Sequence, residues 1–140
     1  LFRSTRRQLR AQRRQDGEIG GVLAGLVGQR GIGVDRIGVH FHDTYGQALA
    51  NLYAGMEEGV RVIDAAAGGL GGCPFAPGAT GNVVFEDLVF LCESKGFPTG
   101  IDLDRLIEVR SILKAEMPGE TLYGGLARAG LPRGTRAKAA

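Results

Sequence analysis

Ile37-Gly38-Val39-His40-Phe41-His42-Asp43-Thr44-Tyr45-Gly46-Gln47-Ala48-Leu49-Ala50-Asn51 holds a strand, a turn and a helix start in one short run. Ile37 to Phe41 is apolar and β-branched at its key positions, which predicts a short strand. Thr44, followed by Gln47, has the spacing of a capping box, and Asp43 is a second candidate cap. The spacing of Leu49, Leu52, Tyr53 and Met56 then predicts a helix over about 46–58 that buries one face. Gly59 has the position of a terminating glycine. Val60-Arg61-Val62-Ile63-Asp64-Ala65-Ala66 reads as a second strand, apolar enough to be buried on both faces. Strand, helix and strand in this order predict an α/β fold with a parallel sheet.

His40 and His42 are the two histidines of the chain. Alternation along a strand puts residues i and i+2 on one face. Both imidazoles can therefore meet one ion at the C-terminal end of the strand, where α/β folds place their sites. A second unusual stretch follows the second strand: Gly68-Gly69-Leu70-Gly71-Gly72-Cys73-Pro74-Phe75-Ala76-Pro77-Gly78-Ala79-Thr80-Gly81-Asn82. Cys73, bracketed by glycines and a proline, is not in a core-like setting and reads as reactive. Cys92 falls on an apolar helical stripe and reads as packing. His40, His42 and Cys73 would suit zinc. His40, His42 and the amide oxygen of Asn82, better anchored at the start of a helix, would suit Mg²⁺ or Mn²⁺. The glycines match no phosphate-binding P-loop and are expected to form a flap, with Gly69, Gly71, Gly72 and Gly81 as its suspected substrate contacts.

A helix is expected over about 83–95, with Val84, Leu88, Leu91 and Cys92 inward. Gly96 and Pro98 stop it. Another starts at Asp102, with Leu103, Leu106, Ile107 and Leu113 on one stripe, and ends at Pro118-Gly119. Residues 119–140 read as a loop or tail. At the other end, residues 1–36 comprise an Arg-rich tail and a glycine-interrupted apolar stretch, Ile19 to Val27, that makes a poor helix. The folded α/β part is expected over 37–118.

The chain has 140 residues, 44% of them hydrophobic, enough for one modest core. Its net charge of +2 is uneven. The first 16 residues carry six Arg and one Asp, leaving 11 basic and 14 acidic residues for the remainder. A nucleic-acid partner would rest on that tail alone, which has no aromatic platform for stacking bases, so none is expected. No apolar run approaches the ~18 residues of a membrane span, so no membrane partner is expected either. Two cysteines give no disulfide framework, which makes a reducing, cytoplasmic setting the default.

His40 to Asn51 and Gly69 to Asn82 together resemble the hydroxymethylglutaryl-CoA lyases, and the likeness runs from about Ile37 to Leu113. The resemblance implies a TIM (β/α)8 barrel, of which this chain would hold the last two βα units and the C-terminal helix. It implies His40, His42 and Asn82 as ligands of Mg²⁺ or Mn²⁺, and Cys73 and His40 as proton-transfer groups. It further implies an acyl-CoA substrate, 3-hydroxy-3-methylglutaryl-CoA, cleaved to acetoacetate and acetyl-CoA, and a homo-oligomer when intact. The likeness of the Pro118-Gly119-Glu120 and Leu122-Tyr123-Gly124 pieces to bacterial members implies a cytoplasmic enzyme, with the mitochondrial matrix as the other setting of the family. No motif matches the family's first-strand Asp and Arg, so a fragment inactive alone is expected. The start at Leu1 rather than Met fits a fragment or a processed chain. Two other readings compete. One is a related Claisen-type synthase of the isopropylmalate or homocitrate kind, which shares the His-x-His strand but lacks the Gly-Gly-Cys-Pro loop. The other is a non-catalytic remnant.

Overall fold

The computed structural model describes residues 31–43, 45–72 and 80–132. The expected Arg-rich tail, the Ile19–Val27 stretch, Thr44 and Cys73 lie outside the described residues. The elements are β1 (Gly38–His40), α1 (Ala48–Glu57), β2 (Val62–Asp64), α2 (Phe85–Ser94), α3 (Leu103–Glu116) and α4 (Gly125–Ala129). Short 3-10 turns occupy Val34–Arg36 and Ala67–Gly69. β1 and β2 are hydrogen-bonded neighbours in a parallel pair, with α1 between them in sequence. The described residues divide into two compact units, one of 31–39 with 50–63 and one of 40–49 with 64–132.

The first unit is built on Ile37 and Val60, both buried, with Ile32, Val34, Val39 and Ile63 packed around them. Leu52 and Met56 of α1 are also buried, while Leu49 and Tyr53 are half-buried. Burying a leucine of this kind contributes about 1.5–3 kcal/mol. Gly59 ends α1 at φ +106, a backbone geometry open to glycine, and a Cβ there would lie 3.0 Å from Val34 Cγ1. Arg61 closes the same helix end by donating from Nη1 to the carbonyls of Met56 at 2.8 Å and Val60 at 2.7 Å. Carbonyls at a helix C-terminus have no intrahelical donor, and a cation there also suits the helix dipole.

The expectation that the second strand is buried on both faces does not hold. Val62 is 55% exposed, and β2 reads exposed, half-buried, exposed along its length. Among the described residues the sheet has two strands, so only the Val39–Ile63 side has a core to face.

The second unit centres on α2. Leu88, Val89 and Cys92 are buried from this helix, along with Val83, Val84 and Leu126. α2 packs against both α3 and α4. Leu91, expected inward, is half-buried. α3 is capped by Asp102, whose side chain accepts from the Arg105 amide at 3.1 Å. Its expected stripe of Leu103, Leu106, Ile107 and Leu113 is half-buried, whereas Val109 and Ile112 on its other side are exposed.

Residues 119–140, expected as a loop, contain α4. Asp87 explains it. Its two carboxylate oxygens accept from the amides of Gly125 at 2.7 Å and Leu126 at 2.8 Å. A remote carboxylate therefore supplies the cap that the local sequence, Gly124-Gly125, lacks.

Candidate active site

The strand ending in His40 continues through Phe41 and His42 into a second pairing. His42 and Asn82 form an antiparallel bridge, with Val83 N donating to Phe41 O at 3.0 Å and Asp43 N to Gly81 O at 3.0 Å. Thr80 adds a bond from its hydroxyl to the Asp43 carbonyl. The far end of the glycine-rich loop is thus held directly beside the two histidines. The rings of His40 and His42 stand edge to face, 5.2 Å between centroids.

Asn82 is the better-defined member of the set. Its Nδ2 donates to Leu70 O at 2.7 Å, and its backbone amide donates to Gly71 O at 3.1 Å. Its Oδ1 is buried and has no hydrogen-bond partner among the described residues. Leaving a buried amide oxygen unpaired costs free energy, so an orphan of this kind calls for an explanation. Gly81 is required beside it: an added Cβ would sit 2.2 Å from Gly69 O and 2.6 Å from Gly71 O. Gly71, at φ +94, would place a Cβ 2.7 Å from Asn82 Nδ2. The glycines at these two positions allow the two ends of the loop to touch. Gly69 also adopts a positive φ, and Gly72 meets nothing within 4 Å.

His40 Nδ1 lies 3.0 Å from Asp64 Oδ2, across the ends of the paired strands. Asp43, the second candidate cap, accepts from the amide of Ala48, the first residue of α1, at 2.8 Å. The structure thus places Asp43 at the helix start. Among the described residues no group of three His, Cys, Asp or Glu side chains forms a ready-made ligand cluster. Asn82, whose backbone is bridged to His42, carries the remaining candidate donor, its buried amide oxygen.

Sequence reasoning missed Glu86. It is wholly buried in the first turn of α2. Its carboxylate accepts from the backbone amide of Gly68 at 2.9 Å and 3.1 Å, and from Arg110 Nη1 of α3 at 3.0 Å. Gly68 opens the glycine-rich loop at φ +62, and its carbonyl in turn accepts from Tyr123 N at 2.8 Å. Glu86 therefore fixes the start of the loop while the His42–Asn82 bridge fixes its end. The available signal was a carboxylate three residues before Val89, on the buried side of a helix, where a charge needs a partner.

A cavity of about 690 Å³ opens beside Asn82, lined by Asp43, Asp87, Arg110, Lys114, Tyr123 and others of this unit. Its size is that of a ligand site.

The HMGL-like family model matches residues 30–113. The chain belongs to the HMGL-like family. It is 50% identical over 80 residues to the mitochondrial hydroxymethylglutaryl-CoA lyase of Gallus gallus, covering 57% of this chain and 27% of that one. It is 53% identical over 74 residues to the 3-hydroxy-3-isohexenylglutaryl-CoA/hydroxy-methylglutaryl-CoA lyase of Pseudomonas aeruginosa, covering 53% of this chain and 25% of the relative. The structure of an HMG-CoA lyase from Acinetobacter baumannii in complex with coenzyme A and 3-methylmalate superposes with a TM-score of 0.72 at 44% identity, over 83% of this chain and 37% of that one. The chain thus spans about a quarter of the length of these curated relatives. These solved neighbours are TIM barrels, and the parallel β1–β2 pair with its helices is the corresponding α/β portion. Mitochondrial, bacterial and cytoplasmic proteins are all among the relatives, and no described helix is long and apolar enough to cross a membrane.

Proposed function

We propose that this HMGL-like chain carries part of the active site of a carbon–carbon lyase that splits 3-hydroxy-3-methylglutaryl-CoA into acetoacetate and acetyl-CoA. The observation that supports this best is the buried, unpartnered Oδ1 of Asn82 on the segment bridged to His42. Together with His40, these residues would hold Mg²⁺ or Mn²⁺, and the orphaned oxygen gains a partner. Such an ion, when bound, supplies Lewis-acid polarisation of hydroxyl and carbonyl oxygens. The lyase portion is residues 37–118.

The chain's own residues then divide the work. Asp64 occupies Nδ1 of His40, so that ring has one nitrogen left. A ring nitrogen cannot ligate and carry a proton together, so His40 serves as a ligand and proton delivery falls to Cys73. A general base takes the C3 hydroxyl proton and the C2–C3 bond breaks, releasing acetoacetate and the enolate of acetyl-CoA; the proton held by the base later restores the Cys73 thiol, so no net proton is gained or lost. Cys73, which lies in sequence between Gly68 and Asn82, gives its proton to that enolate. The loop glycines Gly69, Gly71, Gly72 and Gly81 let the backbone approach the substrate, and Lys114 and Arg128 at the cavity suit a polyanionic CoA. The setting is cytoplasmic and the working assembly a homo-oligomer.

The test is a graft. Residues 30–113 replace the matching segment of the Pseudomonas aeruginosa relative, and acetoacetate release is followed with Mg²⁺ or Mn²⁺ present. We expect turnover within about tenfold of the parent, lost on Asn82→Ala or His42→Ala, a factor of ten being about 1.4 kcal/mol of barrier. The 140-residue chain alone is expected to show none. A folded graft without turnover would sink the reading.

A further inference from the structure

We infer that Asp64 is a positioning residue that locks the tautomer of His40, keeping its proton on Nδ1 and presenting Nε2 as the single open ring nitrogen. The role assigned to that nitrogen rests on the lyase reading above, whereas the tautomer itself does not.

The geometry begins with strand register. A Cβ on Gly38 of β1 would lie 3.4 Å from Val62 Cγ1 of β2, so these two residues face each other across the pair. Two residues further along each strand stand His40 and Asp64. Alternation of side chains puts both on that same face. The parallel register therefore brings the two side chains to one face, within reach of each other. The resulting Nδ1–Oδ2 separation is 3.0 Å.

Chemistry then fixes the direction of the bond. An ionised carboxylate only accepts, so the hydrogen sits on Nδ1. In a neutral imidazole this leaves the lone pair on Nε2. Carboxylates that hold one nitrogen of a histidine in this way orient the ring and fix its tautomer.

Two further observations support this role for Asp64. The 3-10 turn that follows it, Ala67–Gly69, has no side-chain cap, so the carboxylate is not spent on that turn. The edge-to-face contact with His42, at an interplanar angle of 65°, limits rotation of the His40 ring from its other side. Against them stands exposure, 47% for the His40 side chain and 71% for that of Asp64, so water competes for the bond. A tautomer ratio, unlike global stability, reports such a local preference directly.

The 140-residue chain has two histidines, which makes the measurement simple. Long-range ¹⁵N–¹H imidazole spectra are recorded on the metal-free chain at a pH where both rings are neutral. His40 should be mostly the Nδ1–H form, the reverse of free histidine. Asp64→Ala should return it to a majority of Nε2–H while the His42 pattern stays unchanged. A purely structural role for Asp64 would disturb the amide spectrum without inverting that ratio. A wild-type His40 that is mainly Nε2–H, or an Asp64→Ala chain with the wild-type ratio, overturns the proposal. Should the variant fail to fold, the wild-type spectrum decides by itself. No metal or substrate is involved, so failure of the lyase graft leaves this result standing, and the reverse holds too.

Discussion

Arg110 reaches from α3 to donate to Oε1 of Glu86 at 3.0 Å, and Glu86 has no exposed surface at all. The same carboxylate receives the Gly68 amide, so one buried charge ties α2, α3 and the start of the glycine-rich loop together. Taking such a charge out of water is costly, and it is tolerated because its hydrogen-bonding capacity is met from two directions. Asn82 is the counterpart at the loop's other end, satisfied at Nδ2 and not at Oδ1.

Glu86→Ala should therefore cost about 3 kcal/mol, since it leaves the Gly68 amide and a mostly buried guanidinium without their acceptor. Replacing both partners, as Glu86→Leu with Arg110→Met, should recover much of the loss. Urea midpoints of the three chains measure this. A single variant as stable as the parent would mean that water or a moved side chain takes over the role of Glu86.

Cys73→Ser in the grafted lyase should lower kcat far more than it raises KM, because a proton delivered in the transition state adds nothing to substrate binding. Steady-state acetoacetate release separates the two. Near-normal kcat would return Cys73 to a structural role.

Thr99 donates to Glu93 Oε1 from its hydroxyl and from its backbone amide, both at 2.6 Å. These bonds, the hydroxyl's first, stabilise the carboxylate and hold its pKa below the ordinary glutamate value. A depressed folded-state pKa gives stability that is present above the unfolded value, about 4.3, and is lost as pH falls through the folded one. Thr99→Val should thus narrow its stability gap from wild type as pH is taken from roughly 6 to roughly 3. Denaturation midpoints across that range check it, and a gap independent of pH would remove the hydroxyl–carboxylate bond as its cause.

Val62, 55% exposed on β2, stands on a two-stranded sheet of the described residues. Strand edges and apolar strand faces left open invite association. We expect the isolated chain to sediment as oligomers, and Val62→Lys to shift it toward monomer. A monomer that sediments identically with and without the substitution would show that this face does not drive association.

The order strand, helix, strand could be read from the sequence because it rests on local periodicity and on glycine at a helix end. Gly59 at φ +106 and the cap at Asp102 are where the spacing put them. The histidine pair could also be read, since alternation along one strand is a local property. The Gly-rich stretch was visible as a loop, but why particular glycines are needed was not. Gly81 is excluded from any larger residue by carbonyls of Gly69 and Gly71, which only folding brings near.

The sequence by itself determined the βα order, the family and the candidate donors. Tertiary structure alone decided what those donors face. Asp64 meets His40 through parallel register, 24 residues apart. Asp87 caps α4 across 38 residues, turning an expected tail into a helix. Glu86, read from sequence as one more helix glutamate, is buried because α3 returns Arg110 to it and the loop returns Gly68. Periodicity reports which face of an element is apolar. It carries no information about which distant polar group fills the gap on that face, because such pairing is set by how the chain closes upon itself.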